Sequence, residues 1–153
     1  MERAILEEVL PFRRAMLRPG QPAGAPPTLG DLHPQCAHFV ARVDKEIVAC
    51  ASTDPAPCPT GAGTSRGSAW QVRGVATRPD AQGRGHGRAV VEACFAHARA
   101  HGAHLVWCHG RVGAIPFYER LGFTAQSEEY VLPVSGPHRV MVLRGAGSFV
   151  RAA

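Results

Sequence analysis

The stretch that decides the fold is Trp70-Gln-Val-Arg-Gly-Val-Ala-Thr-Arg-Pro-Asp-Ala-Gln-Gly-Arg-Gly-His-Gly-Arg88, which the helix-like run 89–98 follows at once. Its pattern is that of a strand, a tight turn and a helix. Three glycines occupy alternate positions of the turn: Gly83, Gly85 and Gly87. The N–H groups at a helix start lack intrahelical acceptors and carry a partial positive charge, and Arg84 and Arg88 add full charges. The stretch therefore predicts a cradle for a phosphate group.

Two common phosphate-binding motifs do not match this turn. It lacks the Lys-Ser/Thr ending of a Walker loop, and its G-x-G-x-G spacing differs from the G-x-G-x-x-G of dinucleotide-binding folds. The residues 82–87 do match Gln/Arg-x-x-Gly-x-Gly/Ala, and with 75–79 before them they resemble motif A of the GNAT superfamily of acyl-CoA-dependent N-acyltransferases. In that family the loop amides hold the coenzyme A pyrophosphate. Taken alone, the turn is also compatible with an ordinary strand–helix connection.

A second match lies at Gly113-Ala-Ile-Pro-Phe-Tyr-Glu-Arg-Leu-Gly-Phe123, which resembles the family signature Ala-x-x-Phe-Tyr-x-x-x-Gly-Phe/Tyr. It predicts a short helix that Gly122 ends before the next strand. Since both motifs agree in order and spacing, the resemblance covers residues 37–144. We interpret Phe117 as a core aromatic and Tyr118 as functional; the alternative is that both are core residues.

The resemblance implies a single α/β domain over residues 1–153, with an N-terminal helix and proline-rich loop in 1–36 and the core in 37–144. The GNAT-like fold would have a mixed, mostly antiparallel central sheet flanked by helices, with a splayed parallel pair, 69–77 and 103–108, joined by a helix over 86–101. Relatives usually begin with a strand. Here the helical pattern occupies residues 2–17, so we expect that strand to be absent or the reading frame to begin late.

Other elements follow from local patterns. Residues 37–43 and 47–52 are expected to form a hairpin through Asp44–Glu46, and strands are expected near 123–131 and 138–144. Pro11 should kink or divide the first helix, whose apolar stripe leaves Arg13 outside. The stretches 17–22 and Gly136-Pro-His-Arg-Val-Met141 resemble a small bacterial GNAT subgroup of unassigned substrate, in which Gly-x-Pro-His-like residues open the last strand.

The resemblance implies acetyl-CoA as the acyl donor, without a metal. The implied cofactor contacts lie on the motif-A strand, the glycine loop and the short helix: Val75, Ala76, Thr77, Gln82, Gly83, Arg84, Gly85, His86, Gly87, Arg88, Ala114 and Phe117. Tyr118 is the candidate general acid, because a tyrosine hydroxyl can give its proton to the departing thiolate. Relatives often carry a Glu base on the motif-A strand, where residues 71–73 here contain no acid. His109 is the remaining candidate base, since histidine titrates near neutrality; an exposed turn histidine and deprotonation by solvent stay as alternatives.

These residues predict an enzyme that moves an acetyl group to a primary amine of a small molecule or peptide. The alternative is a non-catalytic CoA-binding sensor or interaction module, which the missing strand carboxylate favours and Tyr118 disfavours. The net charge of +5 suits an anionic cofactor, but the basic residues are scattered, so no nucleic-acid partner is expected. No apolar run approaches the ~20 residues of a membrane helix. The acidic N-terminus and five cysteines without paired spacing predict a cytoplasmic protein with reduced thiols. A homodimer stays open.

Overall fold

The computed structural model describes residues 1–19, 28–62, 69–133 and 135–144. Residues 20–27, within the expected proline-rich loop and the stretch 17–22, lie outside that description. The strands are β1 (Glu2–Ala4), β2 (Ala37–Val43), β3 (Glu46–Pro55), β4 (Ala69–Thr77), β5 (Leu105–Arg111), β6 (Thr124–Ala125), β7 (Tyr130–Leu132) and β8 (Gly136–Arg144). The helices are α1 (Leu6–Leu17), α2 (His86–Ala100) and α3 (Ile115–Arg120), and single 3-10 turns occupy Gly30–Leu32, Pro79–Ala81 and Val112–Ala114.

The strands form a mixed sheet in the order β1-β2-β3-β4-β5-β8-β6, and β7 pairs with β8. β4 and β5 are parallel, with Ala69–Gln71 opposite Leu105–Trp107. The β1–β2, β2–β3, β5–β8, β6–β8 and β7–β8 pairs are antiparallel. The predicted α/β fold, with a mostly antiparallel sheet and one parallel pair connected by a helix, is confirmed.

The chain divides into two compact units, Met1–Asp54 with Val72–His97, and Pro55–Gln71 with Ala98–Ala153. That residues 1–153 form a single domain stays a prediction. Within the part of the chain that the structure describes, no helix is long and apolar enough to cross a membrane.

The first unit is built around β2 and β3, against which α1 packs. Val9, Val40 and Cys50 are fully buried in one cluster of α1, β2 and β3. The hairpin between the two strands turns through Asp44 and Lys45, which both have positive φ, at 51° and 71°. Positive φ at both central residues is typical of the type I′ turn, whose twist matches that of paired strands. The predicted hairpin is confirmed.

Three expectations for the N-terminus are wrong. The first strand is present as β1, where Glu2 pairs with Val40; three residues are too few for a periodic pattern, and their pairing comes from β2. Helix α1 is not divided at Pro11, because tertiary packing of the buried Val9 face stabilises a helix more than one missing N–H weakens it. Arg13, expected outside the apolar stripe, is buried.

The second unit is built around β5, which pairs with β8 along its whole length from Leu105↔Arg144 to Arg111↔His138. This pairing carries β5 three residues beyond the predicted end at residue 108. His109, expected just past the strand, therefore lies within it. The single strand expected over 123–131 is instead two short strands, β6 and β7, which both pair with β8 and are separated by residues 126–129.

Candidate functional site

The glycine-rich turn lies in the first unit, between β4 and α2. Gly83 and Gly85 have φ of +78° and +86°, in the left-handed region that other residues rarely adopt. A Cβ at either position would meet nothing within 4 Å, so the backbone conformation rather than crowding requires glycine. Gly87 lies inside α2, which begins at His86. Two of the three glycines thus shape the turn itself.

The start of α2 is open to an anion. Ala89 N–H donates to Gly85 O at 3.0 Å, which is an i to i−4 hydrogen bond of the helical type. The amides of residues 86–88 come before this bond, at the helix start. No acidic residue lies in the first turn. Successive N–H groups around left-handed glycines form a concavity that suits phosphate oxygens.

The two arginines of the turn, Arg84 and Arg88, differ in whether they form an ion pair. Arg88 Nε donates to Glu92 Oε2 at 3.0 Å, one turn along α2. Arg84 is exposed and forms no salt bridge with the described residues. The turn begins at Arg78, whose N–H donates to Val48 O at 2.8 Å and whose side chain contacts Asp80. Arg84 is therefore the cation that a bound phosphate could recruit without breaking an ion pair.

β4 carries an irregularity just before the expected cofactor-binding residues 75–77. Gly74 has a φ of +64°, and a Cβ there would lie 2.9 Å from Arg13 Nε. The Gly74 carbonyl accepts a hydrogen bond from the Cys50 thiol at 3.2 Å. Ala76 is buried, while Val75 and Thr77 are half-buried. A glycine inside a strand pattern was the available signal for this close approach.

A buried carboxylate, Asp31, lies between two arginines in the same unit. Arg13 contacts it with both terminal nitrogens, at 2.9 Å and 3.0 Å, and Arg73 Nη1 lies 2.6 Å from it. Arg73 Nε also donates to Asp54 at 2.7 Å. Burial acts to raise the pKa of Asp31, but the hydrogen bonds and charges of Arg13 and Arg73 outweigh it and hold that pKa well below its usual range. This network, which was not among the sequence predictions, links α1 and β4 through the Asp31 carboxylate.

Asp31, Cys36 and His38 bring three possible metal-ligand atoms within 4.8 Å of one another. Arg73 Nη2 donates to the Cys36 sulfur at 3.3 Å, and the His38 ring contacts Ser52 Oγ at 2.6 Å. Burial raises the pKa of the Cys36 thiol to about 11, so it is a poor metal ligand at neutral pH. The Asp31 carboxylate already binds two guanidinium groups, so the cluster is better suited to binding arginine side chains than a divalent cation.

Tyr118, the candidate general acid, lies on α3 in the second unit. It is buried, with its ring 5.1 Å from that of Phe117 and 5.3 Å from that of Phe123. Its side chain is hydrogen-bonded to the Cys108 thiol, whose pKa burial raises and this bond lowers in part. Phe117 is half-buried, so Tyr118 rather than Phe117 is the more enclosed of the two. Ala114, in the turn before α3, is half-buried.

His109, the candidate base, is half-buried on β5 rather than exposed in a turn. Its Nδ1 lies 2.5 Å from the Tyr130 hydroxyl. Burial, together with the charge of His138, lowers the pKa of His109 from its ordinary 6.5. Because neighbouring residues of a strand point to opposite faces, His109 lies on the face opposite Cys108 and its partner Tyr118. The structure therefore gives each candidate its own partner and does not pair them with each other.

Comparison with known proteins agrees with the fold. The model of the acetyltransferase (GNAT) family matches residues 6–123. YitI of Bacillus subtilis (strain 168), described as an uncharacterized N-acetyltransferase, is 25% identical over 136 residues, which cover 89% of each chain.

Two solved structures share the architecture. Escherichia coli ElaA has a TM-score of 0.71 at 20% identity, covering 91% of this chain and 89% of that one. N-acetylglutamate synthase from Neisseria gonorrhoeae, complexed with coenzyme A and L-arginine, has a TM-score of 0.65 at 19% identity, covering 94% of this chain and 32% of that one. Because the family match spans most of the sequence, the chain belongs to the GNAT family of acetyltransferases.

Proposed function

We propose that this protein transfers an acetyl group from acetyl-CoA to a primary amine of a small molecule or a peptide. The observation that carries the proposal is the turn before α2, with two left-handed glycines, an open helix start and an exposed arginine. Membership of the GNAT family supports acyl transfer from a CoA thioester.

The turn is proposed to hold the coenzyme A pyrophosphate. The amides of residues 82–88 would donate to phosphate oxygens, and Arg84 would add a charge-assisted contact of about 1.5–3 kcal/mol. The backbone of Val75–Thr77 is proposed to bind the pantetheine arm, and Ala114 and Phe117 to contribute further contacts. These roles come from the family resemblance, which the conformation of Gly83 and Gly85 supports.

The proposed chemistry is direct attack. The amine nitrogen attacks the thioester carbonyl carbon, the carbon–sulfur bond breaks, and the thiolate takes a proton from the Tyr118 hydroxyl. The Tyr118 side chain is already hydrogen-bonded to a sulfur atom, that of Cys108, which supports this role. A bound CoA sulfur would take the place of Cys108 as the acceptor.

The proposed base is His109, which its lowered pKa keeps neutral at pH 7. A second candidate function is a CoA-binding sensor without turnover. One observation favours it: residues 71–73 of β4, the strand on which relatives often carry a Glu base, contain no acid. Binding of acetyl-CoA is common to both candidates.

A calorimetric titration with acetyl-CoA tests the binding step. The variant Arg84→Ala with Gly85→Val should bind far more weakly than the wild type. The matched control is Arg120→Ala with Gly102→Val, because Gly102 also has a positive φ, +91°, and equally open surroundings. Equal affinity in all three proteins would remove the turn from the cofactor site.

A further inference from the structure

Four rings form a continuous series on one face of the second unit. The Trp107 and His109 rings meet edge to face at 5.1 Å, and the His109 and Tyr130 rings at 5.6 Å. Tyr130 stacks on His138, with centroids 6.1 Å apart and planes at 21°. The His109 ring is thus held between Trp107 of its own strand and Tyr130 of β7.

His138 has a fixed orientation behind Tyr130. It is buried, and its Nδ1 lies 2.6 Å from the Gly136 carbonyl oxygen. A carbonyl only accepts, so Nδ1 of His138 carries a hydrogen and donates it. Gly136 has a φ of +85°, which favours glycine at this position. The Gly136-Pro-His138 stretch, which no step of the proposed transfer uses, places this ring against Tyr130.

The two nitrogens of His109 differ in their surroundings. Nδ1 contacts the Tyr130 hydroxyl at 2.5 Å. Nε2 makes no hydrogen bond to any residue that the structure describes. None of those residues therefore engages the Nε2 lone pair.

We propose that Tyr130 is a positioning residue, which accepts a hydrogen bond from Nδ1–H of His109 and so leaves the Nε2 lone pair free for the acceptor amine. This inference rests on the proposed acetyl transfer. The proton of the attacking amine moves to Nε2, and the resulting imidazolium keeps its Nδ1–H on the Tyr130 oxygen. The proton then passes from Nε2 to water, which restores the neutral ring.

The charges around the pair fit this role. Besides His109, the titratable groups of the ring series are Tyr130 on β7, which contacts His109, and His138 on β8, which contacts Tyr130. Cys58 lies in the buried cluster against which Tyr130 packs. Burial raises the pKa of Tyr130 to about 12, so its hydroxyl stays neutral at working pH. Burial and the charge of His138 lower the pKa of His109, which favours the neutral ring that a base needs before the amine arrives.

Nitrogen-15 NMR of the histidine rings in the wild-type protein tests the tautomer directly, with His109→Gln to assign the signals. We expect the neutral His109 ring to carry its hydrogen on Nδ1. In Tyr130→Phe, which keeps the ring stack and removes the hydroxyl, the Nε2–H form should become populated. A wild-type ring protonated on Nε2 would overturn the inference.

The pH profile of acetyl transfer gives a second readout, with thiol release measured from acetyl-CoA and a panel of spermidine, L-lysine, tyramine and a free tetrapeptide. Tyr130→Phe should lower kcat/KM by about 2- to 12-fold, the worth of one hydrogen bond, and shift its acidic limb. Val131→Ala is the matched control, because Val131 is the next residue of β7 and is 75% exposed. Its profile should equal that of the wild type.

The outcomes separate this inference from the proposed function. A wild type that transfers acetyl groups while Tyr130→Phe keeps both tautomer and pH profile contradicts the role of Tyr130 alone. A wild type that releases no thiol with any amine of the panel contradicts the proposed function and, with it, the role assigned to the Nε2 lone pair.

Discussion

Arg73 Nη1 lies 2.6 Å from Asp31 Oδ1, and the Asp31 side chain has no exposed surface. The two residues are 42 positions apart in the sequence, and Arg13 approaches the same carboxylate from α1. The pair therefore ties the turn at Gly30–Leu32 to the middle of β4 and to the first helix. Removing one member of such a buried group leaves uncompensated charge, which is more costly than losing a surface pair.

Asp31→Asn should lower the free energy of unfolding by about 3–5 kcal/mol, because two buried guanidinium groups lose their shared carboxylate. Chemical denaturation measures the change. Asp80→Asn is the control: Asp80 pairs with Arg78 but its side chain is 67% exposed, so a small effect is expected. Equal losses in both variants would show that the Asp31 network contributes no more than a surface ion pair.

The Asp31 carboxylate also makes the free energy of unfolding depend on pH in acidic solution. Its pKa is lower in the folded protein than the ordinary 3.8, so its contribution is fully present above pH 4 and is lost as the pH falls below that value. Wild-type stability should decline through this range, and Asp31→Asn should decline less steeply. Parallel declines in the two proteins would contradict the assignment.

Gly74→Ala tests the close approach of Arg13 to β4. Gly61→Ala is a matched control, because Gly61 also has a positive φ, +80°, but nothing within 4 Å of a new Cβ. Each should lose about 1–2 kcal/mol to the left-handed conformation, and Gly74→Ala should lose more because its Cβ would lie 2.9 Å from Arg13 Nε. Thermal unfolding compares them, and an equal loss would show that Arg13 moves away freely.

Tyr118→Phe should reduce kcat for acetyl transfer by roughly 10²–10⁴-fold, the usual contribution of a general acid. Affinity for acetyl-CoA should barely change, because one hydroxyl is lost. Steady-state kinetics beside a binding titration measure both. If Tyr118 serves only to hold the Cys108 thiol, turnover will be preserved and stability alone will fall.

Local patterns predicted the elements that carry their own signals. The strand, glycine turn and helix of residues 69–100 are readable because their periodicity and turn chemistry lie within one continuous stretch. β1 was missed because three residues show no periodicity, and its pairing partner Val40 is distant in the chain. The end of β5 was misplaced because β8, rather than its own residues, extends it.

The candidate site was predictable only in part. Family motifs led to the glycine turn and Tyr118, and the near-neutral titration of histidine led to His109, but neither signal led to the neighbours of these residues. The contact of Tyr130 with His109 could not be predicted from the sequence, nor could that of Asp31 with Arg73. Hydrogen bonds between residues far apart in the chain produce no regular spacing in the sequence. A charged Arg73 within a strand of otherwise uncharged residues was the one sign that a buried partner existed.

The measurement that tests the central claim most directly is a single-turnover reaction of the wild-type protein with equimolar acetyl-CoA and the amine panel. Free thiol and acetylated amine are quantified together by mass spectrometry. The proposed transfer predicts that both appear in equal amounts with at least one amine, and that no acetyl group stays on the protein. Bound acetyl-CoA that persists unchanged with every amine would contradict the transfer and favour the sensor.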